Sequence, residues 1–236
     1  HKATLRLIGG RSYPLRLQLF KFKDQSASVS LQWKPPRGPQ QLIPSRNLST
    51  AQTTPTFVVT TKFPPDDSSV GYERGVAVSK AWDEAATQAA IEAANYVVAN
   101  LDRLSQSKPS DTNRLAKLES FCAEFAAKEF RRPLTEEPKR VCVSAQFKAA
   151  KKTEDAVKRV VLLTLKSPRF LYLGLEGGKP DDFEIATRLS FGLWDSLPDR
   201  ELEKLAAEGR LHSRESVAQQ AQRMLNDSRT RAKMQA

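Results

Sequence analysis

Histidine and cysteine carry much of the nucleophilic, acid–base and metal chemistry of proteins, and this sequence of 236 residues has two of each. His1 and His212 stand far apart, and no group of histidine, cysteine and carboxylate residues has the spacing of a zinc site. The Cys-x-x-Cys-His run that attaches haem covalently is absent from the sequence. The sequence therefore predicts no catalytic residue and no metal ligand in this segment. It leaves open whether the chain forms part of an enzyme.

The two cysteines, Cys122 and Cys142, fall on consecutive predicted helices that a turn near Pro133 joins. They stand at similar distances from that turn, so an antiparallel helix pair would bring them side by side, as a disulfide requires. Two separate buried thiols are the alternative, since free cysteine is a common core residue. A secreted protein would favour the disulfide.

Two residue pairs are weaker candidates for ligand binding. Asp66 and Asp67 could bind Ca²⁺ through their carboxylate oxygens, or they could fold onto the backbone of a turn, which is the interpretation that we favour. Phe20 and Phe22 fall out of register with the alternating leucines before them. This break in register indicates either a bulge or an exposed aromatic face, and flat aromatic faces pack on sugars.

The formal net charge of +11 raises the question of nucleic-acid binding. Lysine and arginine are spread along the whole chain and mixed with acidic residues, so we expect no specific nucleic-acid site. No apolar run approaches the length of a membrane helix. The N-terminal residues lack the pattern of a signal peptide and already alternate, which indicates that the chain begins inside a domain.

The pattern changes along the chain from strands to helices. Apolar and polar residues alternate in three runs within residues 1–50, which predicts antiparallel strands. Prolines punctuate residues 34–80, and from residue 79 the apolar period is that of helices. Helices are predicted over 81–104, 113–130, 136–150, 153–166, from 181 or 182, over 199–208 and over 213–226. Ser79 and Thr135 are predicted N-caps.

The first fifty residues resemble the last strands of the protective-antigen-type β-sandwich, through Gly10 to Leu17, Ser30 to Trp33 and Leu42 to Pro44. Members of that family often bind carbohydrate, so the resemblance implies a glycan partner. The calcium-and-sugar loop of the family has no counterpart in these residues.

The helical part resembles the helical domains of unknown function in large planctomycete-type proteins that often also carry a cytochrome c domain. The matching runs are 125–135, 165–172, 186–194 and 224–232. The resemblance implies a secreted, periplasmic or cell-surface protein. It also implies that any haem c, and any redox partner, belongs to another part of the polypeptide or to a second protein.

The predicted fold class is α+β with segregated elements, a partial antiparallel β-sandwich followed by an all-α helical bundle. The expected domains are the sandwich part at 1–50, a proline-rich linker at 51–80, a first helical domain at 81–150 and a second, truncated one at 151–236. We expect a non-catalytic scaffold and binding segment of a secreted, cytochrome-associated protein. The alternative is part of an oxidoreductase or a polysaccharide-processing enzyme whose active site or haem lies outside this segment.

Overall fold

Most of the regular structure is helical, as the change of period at residue 79 predicts. The computed structural model describes residues 3–4, 7, 13–20, 22, 26–35, 38–50, 57–64, 79–174 and 179–234. The described residues fall into two units, one within 11–57 and the other formed mainly by 58–234.

The smaller unit contains a two-stranded antiparallel sheet. Strand β1 (Gln32–Trp33) pairs with β2 (Gln41–Leu42), and a short 3₁₀ turn follows at Ser45–Asn47. The N–H of Ile43 extends the ladder by donating to the Leu31 carbonyl over 3.1 Å.

Of the strands predicted over residues 13–22 and 27–33, the described residues show only Gln32–Trp33 as a strand, although the alternation is clear in the sequence. A strand needs a neighbour that satisfies its backbone groups, and within the described residues only 41–43 supply one, opposite 31–33. The leucines of the alternating run, Leu15, Leu17 and Leu19, are each more than half exposed. The β-sandwich therefore stays a prediction.

The larger unit begins with α1 (Lys80–Ala99) and α2 (Leu101–Leu104), followed by α3 (Arg114–Glu129). The predicted N-cap is confirmed, because the N–H of Trp82 donates to the Ser79 hydroxyl over 3.1 Å. The predicted helix 136–150 is interrupted: it consists of α4 (Glu136–Lys139), a π-helical turn at 140–144 and α5 (Ala145–Ala149). Thr135 is its N-cap by position but makes no side-chain capping bond. Within the π-helical turn Val143 is buried and Val141 is exposed.

The chain continues through α6 (Thr153–Leu165), the one-turn α7 (Pro168–Leu171) and α8 (Asp182–Trp194). Two helices follow that begin close to their predicted starts, α9 (Arg200–Ala207) and α10 (Arg214–Leu225). A further helix, α11 (Ser228–Met234), continues the helical pattern. None of the helices within the described residues combines the length and the apolar character that crossing a membrane requires.

Two apolar clusters hold these helices. The first core joins α1, α3 and α6 around residues that are fully buried, among them Leu118, Cys122 and Val160. The second core joins α8, α9 and α10 around Trp194, Leu202, Leu211 and Met224. Burying a side chain of this size contributes about 1.5–3 kcal/mol, so each core stabilises its own set of helices.

Candidate functional site

Arg131 lies directly after the end of α3, and its own backbone conformation is unusual. Its φ of 61° is left-handed, a conformation that glycine usually supplies after a helix and that costs other residues about 1 kcal/mol. The turn is closed by the N–H of Arg131 donating to Lys128 over 3.0 Å and that of Arg132 donating to Ala127 over 3.1 Å. An arginine is thus held in a glycine position.

The Arg131 side chain explains why the strained backbone is useful. Its guanidinium donates to the carbonyl of Phe170 over 3.2 Å, to that of Tyr172 over 3.4 Å and to that of Arg169. These carbonyls end α7, where a helix leaves acceptors unsatisfied and where a cation is favourable. The same group lies 5.8 Å from the centre of the Phe191 ring on α8. One side chain therefore connects α3, α7 and α8; we call it the Arg131 clamp.

A small cleft of about 60 Å³ opens beside the Arg131 clamp. Its charged groups are mostly paired: Arg132 lies 3.2 Å from Asp181, and Arg188 pairs with Glu184. Asp181 also caps α8 by accepting the Glu184 N–H over 2.8 Å. The cleft has room for only a few water molecules. It is lined by Phe130, Arg131, Arg132, Arg169, Tyr172, Leu173, Gly174, Glu184 and Thr187.

The backbone of Gly174 and the carboxyl group of Glu129 are both constrained by their surroundings near this cleft. Gly174 has a φ of +72°, and a Cβ there would lie 3.1 Å from a carboxylate oxygen of Glu184, so a larger residue would be strained and crowded. Glu129 is half-buried beside Arg131. Burial raises the pKa of its carboxyl, and Lys128 and Arg131 partly oppose that rise.

A second polar group surrounds the buried indole of Trp194, whose Nε1–H donates to the Met224 carbonyl over 3.1 Å. The Arg229 guanidinium lies 3.5 Å from the ring centre and donates to both carboxylate oxygens of Asp227 over 3.0 and 2.8 Å. These bonds lower the pKa of Asp227. We call these residues, with Arg223 and Asp199, the Trp194 cluster.

Arg223 and Asp199 complete the Trp194 cluster. Two guanidinium nitrogens of Arg223 donate to Asp199 over 2.7 and 3.1 Å, and the guanidinium lies 5.6 Å from the Trp194 ring centre. Burial alone would raise the pKa of Asp199, but the bonds from Arg223 and from the Leu202 N–H lower it. The two arginines and the two aspartates balance in charge, so the cluster is internally neutral.

The residues singled out from the sequence lie in several places. Asp66 and Asp67 lie outside the described residues. Phe20 and Phe22 are 86% and 80% exposed, and their predicted role in ligand binding stays a prediction. His212 is exposed, and its ring nitrogen is 3.9 Å from Asp182.

The two cysteines contact the same core but are not bonded to each other in this structure. Cys122 is fully buried, and burial raises the pKa of its thiol to about 12. Cys142 is half-buried; burial raises the pKa of its thiol as well, and the nearby charge of Arg169 opposes that rise. The predicted disulfide stays a prediction. Within the described residues no three His, Cys, Asp or Glu side chains come together as metal ligands.

Sequence reasoning missed the arginines. Arg131, Arg223 and Arg229 make many of the charged contacts described above. The partners of Arg131 and Arg223 are remote in the sequence, whereas Asp227 stands two residues before Arg229. Two features of the sequence could have indicated these arginines. Arg-Arg-Pro directly follows a predicted helix, and an arginine stands two residues after Ser167 and two residues after Asp227.

Comparison with known proteins adds one match. Residues 181–236 match the family described as PSD4, a protein of unknown function (DUF1592). This range contains α8 to α11 and the Trp194 cluster, so that part of the chain matches a domain of unknown function. No curated protein and no solved structure matches the chain.

Proposed function

We propose that this chain is a non-catalytic scaffold and binding segment of a larger secreted protein. The Arg131 clamp is the observation that carries the proposal. A strained backbone conformation persists only where many surrounding contacts hold it in place. The contacts of the Arg131 side chain do so here, and they connect three helices. Such a connection suits a platform that holds other domains in position.

Further charged contacts across the helices support the scaffold role. Lys166 follows α6 and lies 2.6 Å from Asp83 on α1, and Lys233 on α11 lies 2.6 Å from Asp195 at the end of α8. Exposed ion pairs are individually weak. They add to the apolar cores by fixing how neighbouring helices are oriented.

The binding role belongs to residues 1–50 in this proposal. The resemblance of these residues to the protective-antigen-type β-sandwich implies attachment to a glycan or a cell surface. The exposed rings of Phe20 and Phe22 support it, because an accessible flat ring can pack on the apolar face of a sugar.

The resemblance of the helical part to planctomycete-type domains of unknown function supplies the wider setting of the proposal. We propose a planctomycete-type, cytochrome-c-associated protein that is secreted, periplasmic or on the cell surface. Haem c, if the protein uses it, then belongs to other domains of the polypeptide or to a redox partner that this platform positions.

Haem titration tests the scaffold role. The 236-residue chain and the full-length protein are each mixed with ferric haem and followed by absorbance. With the 236-residue chain we expect only the broad absorbance of free haem, whereas a full-length protein that has its own haem c shows a sharp Soret band before any haem is added. A Soret band from the 236-residue chain alone, with axial-ligand features, would overturn the non-catalytic role and favour the oxidoreductase alternative.

A further inference from the structure

The helical part contains one arrangement of elements twice. In residues 114–171 a long helix, α3, is followed by the left-handed Arg131, an N-cap at Thr135, and then α6 and α7. In residues 182–234 α8 is followed by the left-handed Asp195, an N-cap at Asp199, and then α10 and α11. The N-cap comes four residues after the left-handed residue in both. We call these the first and the second helical repeat.

Hydrogen bonds align the two repeats residue by residue at their ends. Ser167 follows α6 and accepts the N–H of Arg169 over 3.2 Å. Asp227 follows α10 and accepts the N–H of Arg229 over 2.8 Å. The N–H groups of Ser167 and Asp227 each donate over 3.1 Å to the residue three positions before them. Arg169 therefore occupies in the first repeat the position that Arg229 occupies in the second.

An aromatic residue also corresponds in the two repeats. Phe130 and Trp194 each stand directly before the left-handed residue, and both are buried. In the second repeat Arg229 lies against Trp194 and donates two hydrogen bonds to the Asp227 carboxylate. Paired bonds of this kind are the strongest that arginine forms with a carboxylate.

The first repeat lacks these carboxylates. Ser167 stands in the position of Asp227, and Thr135 stands in that of Asp199. Among the described residues no carboxylate lies within ion-pair distance of the Arg169 guanidinium. Glu137 is near, but it forms no ion pair with Arg169. Arg169 thus corresponds to Arg229, but a small hydroxyl stands where Arg229 has its carboxylate partner.

An open pocket of about 340 Å³ lies at this position. Arg169, Ser167, Thr135 and Phe130 line it, and so do Cys142 and Glu137. The pocket is open to solvent on one side, and its volume would admit a small molecule. Arg169 supplies a positive group and Glu137 a negative one, which form no ion pair with each other. Two hydroxyls and an aromatic wall complete a polar site with one apolar side.

We propose that this pocket binds a small carboxylic acid, whose carboxylate takes at Arg169 the place that Asp227 takes at Arg229. The guanidinium supplies two donors to the carboxylate, and Phe130 supplies the apolar wall that Trp194 supplies in the second repeat. The inference does not depend on the scaffold role, because it rests on the two repeats alone.

Cys142 provides a reporter for the test, since its thiol lines the pocket. The full 236-residue chain, kept reduced, is alkylated with iodoacetate, which is a small carboxylate, and separately with neutral iodoacetamide. The ratio of the two rates cancels any change in the thiolate fraction of Cys142. We expect Arg169→Gln to lower the iodoacetate-to-iodoacetamide ratio about fivefold, the factor that one charge at close range supplies in water. Arg159→Gln, which removes an exposed arginine of α6 that does not line the pocket, is the matched control. An unchanged ratio in Arg169→Gln would overturn the proposal.

A second variant keeps the arginine and restores its internal partner. Aspartate is as good an N-cap as serine, so Ser167→Asp retains the turn and places a carboxylate where the second repeat has Asp227. We expect the ratio to fall as it does in Arg169→Gln, although Arg169 is still present. A ratio that stays at the wild-type value would contradict the equivalence of the two repeats and with it the proposal.

Ligand protection completes the test. N-acetylaspartate should slow the iodoacetamide reaction of Cys142 in the wild-type chain and have no effect in Arg169→Gln. The control of similar size is the amide of N-acetylasparagine, which is neutral because amides replace both carboxylates of N-acetylaspartate. Equal protection by both compounds, or protection by neither, would overturn the proposal.

Discussion

The Arg229 guanidinium lies 3.5 Å from the centre of the Trp194 ring. Trp194 ends α8 and Arg229 belongs to α11, so the contact fixes the last helix against the first helix of the second repeat. A cation over an indole face contributes about 0.5–2 kcal/mol, with the larger value for a desolvated site. Trp194 is buried, which places this contact toward the larger value.

Replacing Trp194 tests how much the second core depends on this contact. Trp194→Phe removes the Nε1–H donor to the Met224 carbonyl and weakens the stacking of Arg229. We expect the free energy of unfolding to fall by about 2–3 kcal/mol, measured by urea denaturation. Trp82→Phe is the control, because Trp82 contacts Phe63 outside this cluster. Equal losses in the two variants would contradict the role of the Trp194 cluster.

Asp227 should make the stability of the second repeat depend on pH. Hydrogen bonds from Arg229 hold the pKa of Asp227 below its ordinary value of 3.8, so the folded state takes up the proton less readily than the unfolded state. The stabilisation from this group is therefore fully present above about pH 5 and is lost as the pH falls through 3.8 and the lower folded pKa.

Asp227→Asn provides the measurement. The free energy of unfolding, followed from pH 6 to pH 3, should fall less steeply in Asp227→Asn than in the wild-type chain. Asp155→Asn, which removes an exposed carboxylate of α6, is the control for the loss of one surface charge. Parallel curves for Asp227→Asn and the wild type would show that the pair with Arg229 does not contribute.

The Arg131 clamp allows backbone strain and side-chain contacts to be separated. Arg131→Ala loses the bonds to the carbonyls of α7 and retains the left-handed strain, so we expect a loss of about 2–3 kcal/mol in the free energy of unfolding. Arg131→Gly loses the same bonds and relieves the strain, so it should be about 1 kcal/mol more stable than Arg131→Ala. Equal stability of the two variants would contradict the strain, and wild-type stability of both would contradict the clamp.

Local features of this fold could be predicted from the sequence. The starts of four helices were predicted correctly, and a side chain caps each of them: Ser79, Asp181, Asp199 and Ser213. Such starts can be predicted because an N-cap bonds an N–H only two or three residues further along the chain. The apolar faces of α3 and α6 follow from the helical period in the same way.

Relationships between remote residues could not be predicted. Arg131 and Phe170 are brought together by tertiary packing, and nothing in the spacing of either indicates the other. The left-handed Arg131 is equally hidden, since glycine is the residue expected there. In residues 13–20 the alternation was real, but a strand also needs a partner, which alternation does not supply.

The exposed phenylalanines lead to a prediction for the smaller unit. If Phe20 and Phe22 contact a glycan, Phe20→Ala with Phe22→Ala should weaken polysaccharide binding at least tenfold and leave the free energy of unfolding within about 0.5 kcal/mol. Binding is measured by affinity electrophoresis in gels that contain the polysaccharide. Leu42→Ala, another exposed apolar side chain of this unit, is the control. A polysaccharide bound by the wild type and the double variant with equal affinity would contradict the aromatic contact.

The two thiols should differ sharply in reactivity. Burial raises the pKa of Cys122 to about 12, whereas Cys142 is half-buried and lines an open pocket. In the reduced, folded chain at pH 8 we expect one thiol to react with a small aromatic disulfide and the second to react only on unfolding. Cys142→Ser should remove the fast reaction entirely. In chain purified without reductant and then denatured, two free thiols would reject the predicted disulfide, and none would confirm it.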